Sequence, residues 1–199
     1  MAVQIDTLTR QLKQQNFAGV LRATMAVLEQ DKSDDLKLLE LIARIKSDQS
    51  SPMVQHYLSE SAGWTFEQPD LLIPERAFLH LLNNEGAQAI RLYNQLDEDN
   101  FTAVDFNRLG NAHLMVSDFD QALRYYDRAI ELEPEEPSHL NNKGGALARL
   151  QRFDLALEIY EQCLELDPEH TTAIEAKQKL LIKLNQSDDL LDDLKKKLD

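Results

Sequence analysis

Tyr93, Tyr126 and Tyr160 stand 33 and 34 residues apart, and His80 and His113 repeat the 33-residue step. A ladder of tyrosines could stack a ligand, paired imidazoles could hold a metal ion or carry a proton, and the single cysteine, Cys163, could be a nucleophile. The rest of the chain offers such chemistry little support. It contains no glycine-rich phosphate loop of the P-loop or dinucleotide type, no GxSxG elbow and no HExxH. Five scattered histidines lack cysteine partners for a structural zinc site, and one cysteine cannot close an internal disulfide. The pairs Glu135/Glu136 and Asp188/Asp189 read as solvated loop or helix-start charges. No enzyme activity, cofactor or metal is expected, and the interval itself becomes the signal.

That interval belongs to longer phrases. "LGNAHLMVSDFDQALRYYDRAIELEP" runs from Leu109 to Pro134, and "KGGALARLQRFDLALEIYEQCLELDP" from Lys143 to Pro168. They agree at Gly110/Gly144, Ala112/Ala146, Phe119/Phe153, Asp120/Asp154, Ala122/Ala156, Leu123/Leu157, Tyr126/Tyr160, Glu131/Glu165, Leu132/Leu166 and Pro134/Pro168, where average composition would give roughly one or two coincidences. Phe119, Ala122, Leu123, Tyr126, Ala129 and Ile130 fall at steps of 3 and 4, which puts them on one stripe of an α-helix. Ser117 and Asp118 are its candidate caps, Gln121 stands in capping-box register, and Pro134 stops it. Phe106, Leu109, Gly110 and His113 show the same spacing upstream, so each phrase reads as helix, tight turn, helix. A glycine within a helix is destabilising by about 0.5–1 kcal/mol relative to alanine. Gly110 and Gly144 therefore need a reason, and close approach of the second helix, with Tyr126 filling the remaining space, supplies it.

With that pattern the chain resembles the tetratricopeptide repeat family, whose signature places large, Leu, Gly, aromatic, Ala, aromatic, Ala and Pro at repeat positions 4, 7, 8, 11, 20, 24, 27 and 32. Counted from Ala103 these positions hold Phe106, Leu109, Gly110, His113, Ala122, Tyr126, Ala129 and Pro134. Counted from Pro137 they hold Leu140, Lys143, Gly144, Leu147, Ala156, Tyr160, Cys163 and Pro168, with Lys143 the departure, read as a solvated side chain. The resemblance implies packing roles for His80 and His113 at position 11, for the three tyrosines at position 24 and for Cys163 at position 27. The implied fold is all-α, a right-handed α-solenoid of stacked helix-turn-helix repeats with a C-terminal capping helix. Its expected divisions are divergent repeats over 1–69, a shortened repeat over 70–102 whose first helix opens at Pro74, repeats over 103–136 and 137–170, and a cap with tail over 171–199. The first division rests on Phe17, Leu21 and Arg22, matching Phe119, Leu123 and Arg124, and on a degenerate stretch with one clear helix, Pro52 and a second helix. Fewer signature residues there imply lower stability, with Trp64 as a local probe.

A net charge of -14 repels nucleic acid and anionic lipid, and no run reaches the ~18 apolar residues of a membrane span. The start "MAVQIDTLTRQLKQQ" has no secretory pattern, so a soluble cytoplasmic protein is expected. The resemblance implies a protein-protein interaction adaptor whose first helices line a concave groove, with a dedicated holding chaperone for an aggregation-prone client as the alternative. Family geometry assigns the groove to Asn107 and Asn111, to Asn141, Asn142 and Arg149, and to Lys179 and Lys183. Asparagine amides suit the main chain of an extended peptide, and the locally basic strip suits an extended or helical partner segment with acidic character. Asn111 and Asn142 match two residues of the family's carboxylate clamp, but Asn107, Thr172 and Ala176 stand where its basic residues belong. A strict grip on a C-terminal carboxylate is therefore not expected.

Overall fold

A computed structural model describes residues 7–11, 14, 19–21, 23, 24, 34–47, 61 and 72–198, with backbone alone at 45–47 and 186–198. The expectations attached to Phe17, Arg22, Pro52 and Trp64 lie outside the described residues. Among those residues the regular structure is helical throughout: α1 (Asp34–Ser47), α2 (Ile73–Leu82), α3 (Gly86–Tyr93), α4 (Ala103–Met115), α5 (Phe119–Leu132), α6 (Pro137–Arg149), α7 (Phe153–Leu166) and α8 (Thr171–Leu198), with a 3-10 turn at Glu98–Asn100. The chain divides into two compact units, Met1–Asp97 and Glu98–Asp199.

In the first unit, Leu36, Leu38, Leu39, Leu41 and Ile42 of α1 are buried with Leu8, Val20, Leu72 and Leu79. Pro74 falls in the first turn of α2, where its missing N–H leaves no bond unmade. In the last turn of α2, His80 places its Nδ1 2.6 Å from Glu85 Oε2.

The second unit stacks helix pairs as an α-solenoid does. Thr102 opens α4 with a capping box: its Oγ1 accepts from the Asp105 N–H at 3.2 Å, and its own N–H donates to Asp105 Oδ2 at 3.1 Å. Asp118 Oδ1 accepts from the Gln121 N–H at the start of α5. Glu136 accepts from the Ser138 N–H at the start of α6, and its carboxyl is held below the usual range first by the Ser138 side chain, with that N–H adding to the effect. Each first helix ends alike. Asn84, Ser117 and Gln151 take positive φ of 65°, 63° and 60°. The following N–H groups, of Glu85, Asp118 and Arg152, reach back five residues to the carbonyls of His80, His113 and Leu147 at 2.8, 2.9 and 3.0 Å. This is the Schellman arrangement that satisfies carbonyls left over at a helix end. Its recurrence at 33 and 34 residues marks the same tight turn three times.

The two glycines sit where the second helices come closest. A Cβ on Gly110 would lie 2.6 Å from Tyr126 Cε1, and one on Gly144 would lie 2.6 Å from Tyr160 Cε1, so neither position accepts a side chain without displacing a ring. Tyr126 and Tyr160 are 0% and 3% exposed, and burying each ring contributes on the order of 1.5–3 kcal/mol. Ala122, Tyr126 and Ala146 pack together, and Leu140, Leu147, Ala156, Tyr160 and Cys163 form the next layer with Ala173 and Leu180 of α8. Cys163 is buried and its thiol donates to the Pro137 carbonyl at 3.3 Å, which makes it a core residue.

Lys143 corrects the sequence reading. It is not simply solvated: its Nζ lies 2.8 Å from Asp127 Oδ1, joining α6 to α5 of the preceding repeat. Thirty-four residues later Lys177 Nζ makes the same bridge to Glu161 Oε1 at 2.9 Å.

Candidate partner-binding strip

The first helices of the second unit lie side by side, α4 against α6 and α6 against α8, and they carry the residues assigned from the sequence. Asn107 and Asn142 meet: Asn142 Nδ2 donates to Asn107 Oδ1 at 3.0 Å, tying α4 to α6. Asn111 is held from beneath, because the Tyr126 hydroxyl donates to its Oδ1 at 2.7 Å. That hydroxyl is pushed above its ordinary value by burial, with Arg149 opposing the shift, so Arg149 belongs to the same neighbourhood. Asn141 is half-buried on α6. Arg149 is exposed and has no ion-pair partner among the described residues.

The lysines are engaged with their own chain. Lys183 Nζ stands 4.7 Å from the centroid of the Phe153 ring, a cation–π contact, and Lys179 lies 3.4 Å from Glu175 on the exposed side of α8. The strip is therefore amide-rich over α4 and α6, with Arg149 as its least compensated cation. Two oriented amides follow. Tyr126 fixes which way the Asn111 carboxamide points and leaves its NH2 turned away from the hydroxyl, while the Asn142–Asn107 bond leaves one amide NH2 and one carbonyl oxygen to offer.

An aromatic group passed over in the sequence packs elsewhere. Tyr125 stacks on Phe106 at 6.3 Å and lies tilted against His113 at 5.2 Å, with Phe101 edge-on to Phe106 at 5.3 Å. Its hydroxyl donates to Glu98 Oε1 at 3.0 Å, and Arg128 lies 5.5 Å from the Phe106 centroid. His113 takes a packing role there and turns its Nδ1 to Asp118 Oδ2 at 3.2 Å. The doublet Tyr125–Tyr126 was the available signal, since adjacent aromatics on a helix must face different neighbours. Among the described residues no group of three or more His, Cys, Asp or Glu side chains is placed to hold a metal ion, and no helix is long and apolar enough to cross a membrane.

Residues 107–171 match the tetratricopeptide repeat family model. With the paired helices, the repeated turns and the glycine–tyrosine contacts, that match shows tetratricopeptide repeats over residues 107–171. No curated protein matches the chain in sequence. Among solved structures it is similar to the first such domain of human RPAP3, at 22% identity over 61% of this chain and 97% of that one, with a TM-score of 0.55. The first such domain of Spaghetti (RPAP3), bound to the HSP90 peptide SRMEEVD, matches at 24% identity over 59% and 94% with a TM-score of 0.53. YrrB, described as a repeat protein with an unusual peptide-binding site, matches at 16% identity over 88% and 90% with a TM-score of 0.54. At these identities the likeness is one of fold.

Proposed function

We propose that the protein is a non-enzymatic cytoplasmic adaptor that holds an extended or helical segment of a partner protein along α4, α6 and the start of α8. The observation that carries the reading is the pair of oriented amides. Asn111 on Tyr126, and Asn142 on Asn107, are fixed by hydrogen bonds of 2.7 and 3.0 Å yet keep donors and an acceptor to offer a main chain. Amides already held in place lose little side-chain entropy when a ligand binds. The fold neighbour that holds an acidic peptide supports the same use of such helices. A strict grip on a C-terminal carboxylate is not part of the proposal, because Asn107, Thr172 and Ala176 carry no positive charge.

The test begins with affinity capture from the native host, followed by calorimetric titration of the captured partner. Asn111→Ala combined with Asn142→Ala is expected to weaken binding by roughly 1–3 kcal/mol through lost hydrogen bonds. Unchanged affinity would move the binding surface off this strip. A partner that is insoluble unless this protein is present would turn the adaptor into a holding chaperone using the same surface.

A further inference from the structure

Helix α6 contains adjacent glycines, and packing requires only one of them. A Cβ on Gly144 would strike the Tyr160 ring at 2.6 Å, whereas a Cβ on Gly145 would meet nothing nearer than Tyr160 Oη at 3.9 Å, an ordinary contact. A glycine within a helix weakens it relative to alanine, so Gly145 carries a cost that the fold does not explain. Thirty-four residues earlier the same place holds Asn111, whose carboxamide oxygen receives the Tyr126 hydroxyl. Tyr160 is only 3% exposed, and among the described residues its hydroxyl has no hydrogen-bond partner. Glycine in place of asparagine thus removes a plug. It leaves open the place where the carboxamide would stand, with the Tyr160 hydroxyl beside it and lacking an acceptor among the described residues.

We propose that this notch seats the carboxylate of an Asp or Glu side chain of the partner, with Tyr160 Oη donating to it as Tyr126 Oη donates to Asn111. The inference rests on the binding strip of the preceding subsection and names one residue class that the strip selects. Charge favours a carboxylate over a carboxamide. Arg149 stands one helical turn beyond Gly145 on α6, exposed and without an ion-pair partner among the described residues. The Tyr160 hydroxyl is held above its ordinary value first by burial and then by the Cys163 thiol, with no carboxylate of this chain among the causes. It stays protonated at neutral pH, and a hydrogen bond from it to an ionised acceptor is roughly twice as strong as one to a neutral acceptor.

The experiment uses the full chain, labelled with nitrogen-15, and two blocked peptides, acetyl-Ala-Ala-Glu-Ala-Ala-amide and its Gln counterpart. The Glu peptide should shift the amides of residues 142–146 and bind at least about threefold tighter than the Gln peptide. Gly145→Asn, which restores the plug found one repeat earlier, and Tyr160→Phe, which removes the donor, should each weaken the Glu peptide about three- to tenfold. Gly145→Asn should do so without lowering the melting temperature, which separates the effect from misfolding. Equal affinity for the two peptides, absence of shifts at 142–146, or shifts that survive both substitutions would overturn the notch. Shifts confined to Asn107 and Asn111 and indifferent to both substitutions would remove the notch while leaving the strip, which Asn111→Ala with Asn142→Ala tests separately against the captured partner.

Discussion

The repeats at 103–136 and 137–170 are nearly the same machine inside and different machines outside. Both set a glycine against a tyrosine ring so closely that an added Cβ would lie 2.6 Å from a ring carbon, and both bury alanine at equivalent places, Ala122 and Ala156. Away from that contact they diverge. The buried Leu109 of one repeat becomes the partly exposed Lys143 of the other, Asn111 becomes Gly145, and the Thr102 capping box becomes a Glu136 cap followed by Pro137. Residues that touch their own repeat are duplicated because the helix pair has one good way to close. Residues that touch the neighbouring repeat, or a ligand, are free to differ, and there the two copies acquire separate tasks.

The duplicated contact gives the largest expected effect. Gly110→Ala and Gly144→Ala each raise intrinsic helix propensity, by about 0.5–1 kcal/mol, but force a methyl group to within 2.6 Å of a buried ring carbon. Overpacking of that kind costs about 1–3 kcal/mol. Both variants should lower stability in denaturant titrations, and by similar amounts. Tyr126→Leu should recover part of the loss in Gly110→Ala, because the clash is with the ring. A stabilised Gly110→Ala variant, or one indifferent to Tyr126→Leu, would refute the close packing; unequal losses at 110 and 144 would show that the two repeats do not share one interior.

That interior was legible in the sequence because it is local and periodic. Steps of 3 and 4 place Phe106, Leu109 and Gly110 on one face, and a helix-breaking residue kept at 110 and 144 announces a close neighbour before the neighbour is known. The Asn84, Ser117 and Gln151 turns were less visible, since none uses the glycine that usually marks a left-handed residue. The site was half legible. Family geometry brought Asn107, Asn111 and Asn142 to one strip, but the Asn142–Asn107 bond spans 35 residues and the Tyr126–Asn111 bond spans 15. Spacing on a single helix cannot reveal either. Lys143 was misread for the same reason. A charge in an apolar register looks solvated until the preceding repeat supplies Asp127 at 2.8 Å.

That ion pair offers a smaller test, this time of the outward differences. The side chains of Lys143 and Asp127 are 25% and 50% exposed, so solvent screens the attraction and the pair contributes about 0.2–1 kcal/mol. A double-mutant cycle with Lys143→Met and Asp127→Asn should show coupling in that range, shrinking as salt rises. The same cycle on Lys177 and Glu161, at 28% and 58% exposure, should give a comparable figure. Coupling in one pair and none in the other would mean that the junction after the second repeat is not a copy of the junction after the first.

The smallest effect lies in the turns. Ser117 and Gln151 hold φ of 63° and 60°, a region that costs a non-glycine residue about 1–2 kcal/mol. Glycine removes the strain but gives the unfolded chain more freedom, which returns about 0.5–1 kcal/mol of the gain. Ser117→Gly and Gln151→Gly should therefore each stabilise the protein by only about 0.5 kcal/mol, read as a rise in the denaturation midpoint with an unchanged slope. Neither side chain is a partner in the hydrogen bonds that close its turn, which run from main-chain N–H groups to the carbonyls of His113 and Leu147, so both substitutions act through the backbone alone. Equal gains would mean that the two turns store the same strain and that the likeness of the repeats extends to their loops. A loss at either position would show that its side chain supports the turn through contacts outweighing the left-handed cost.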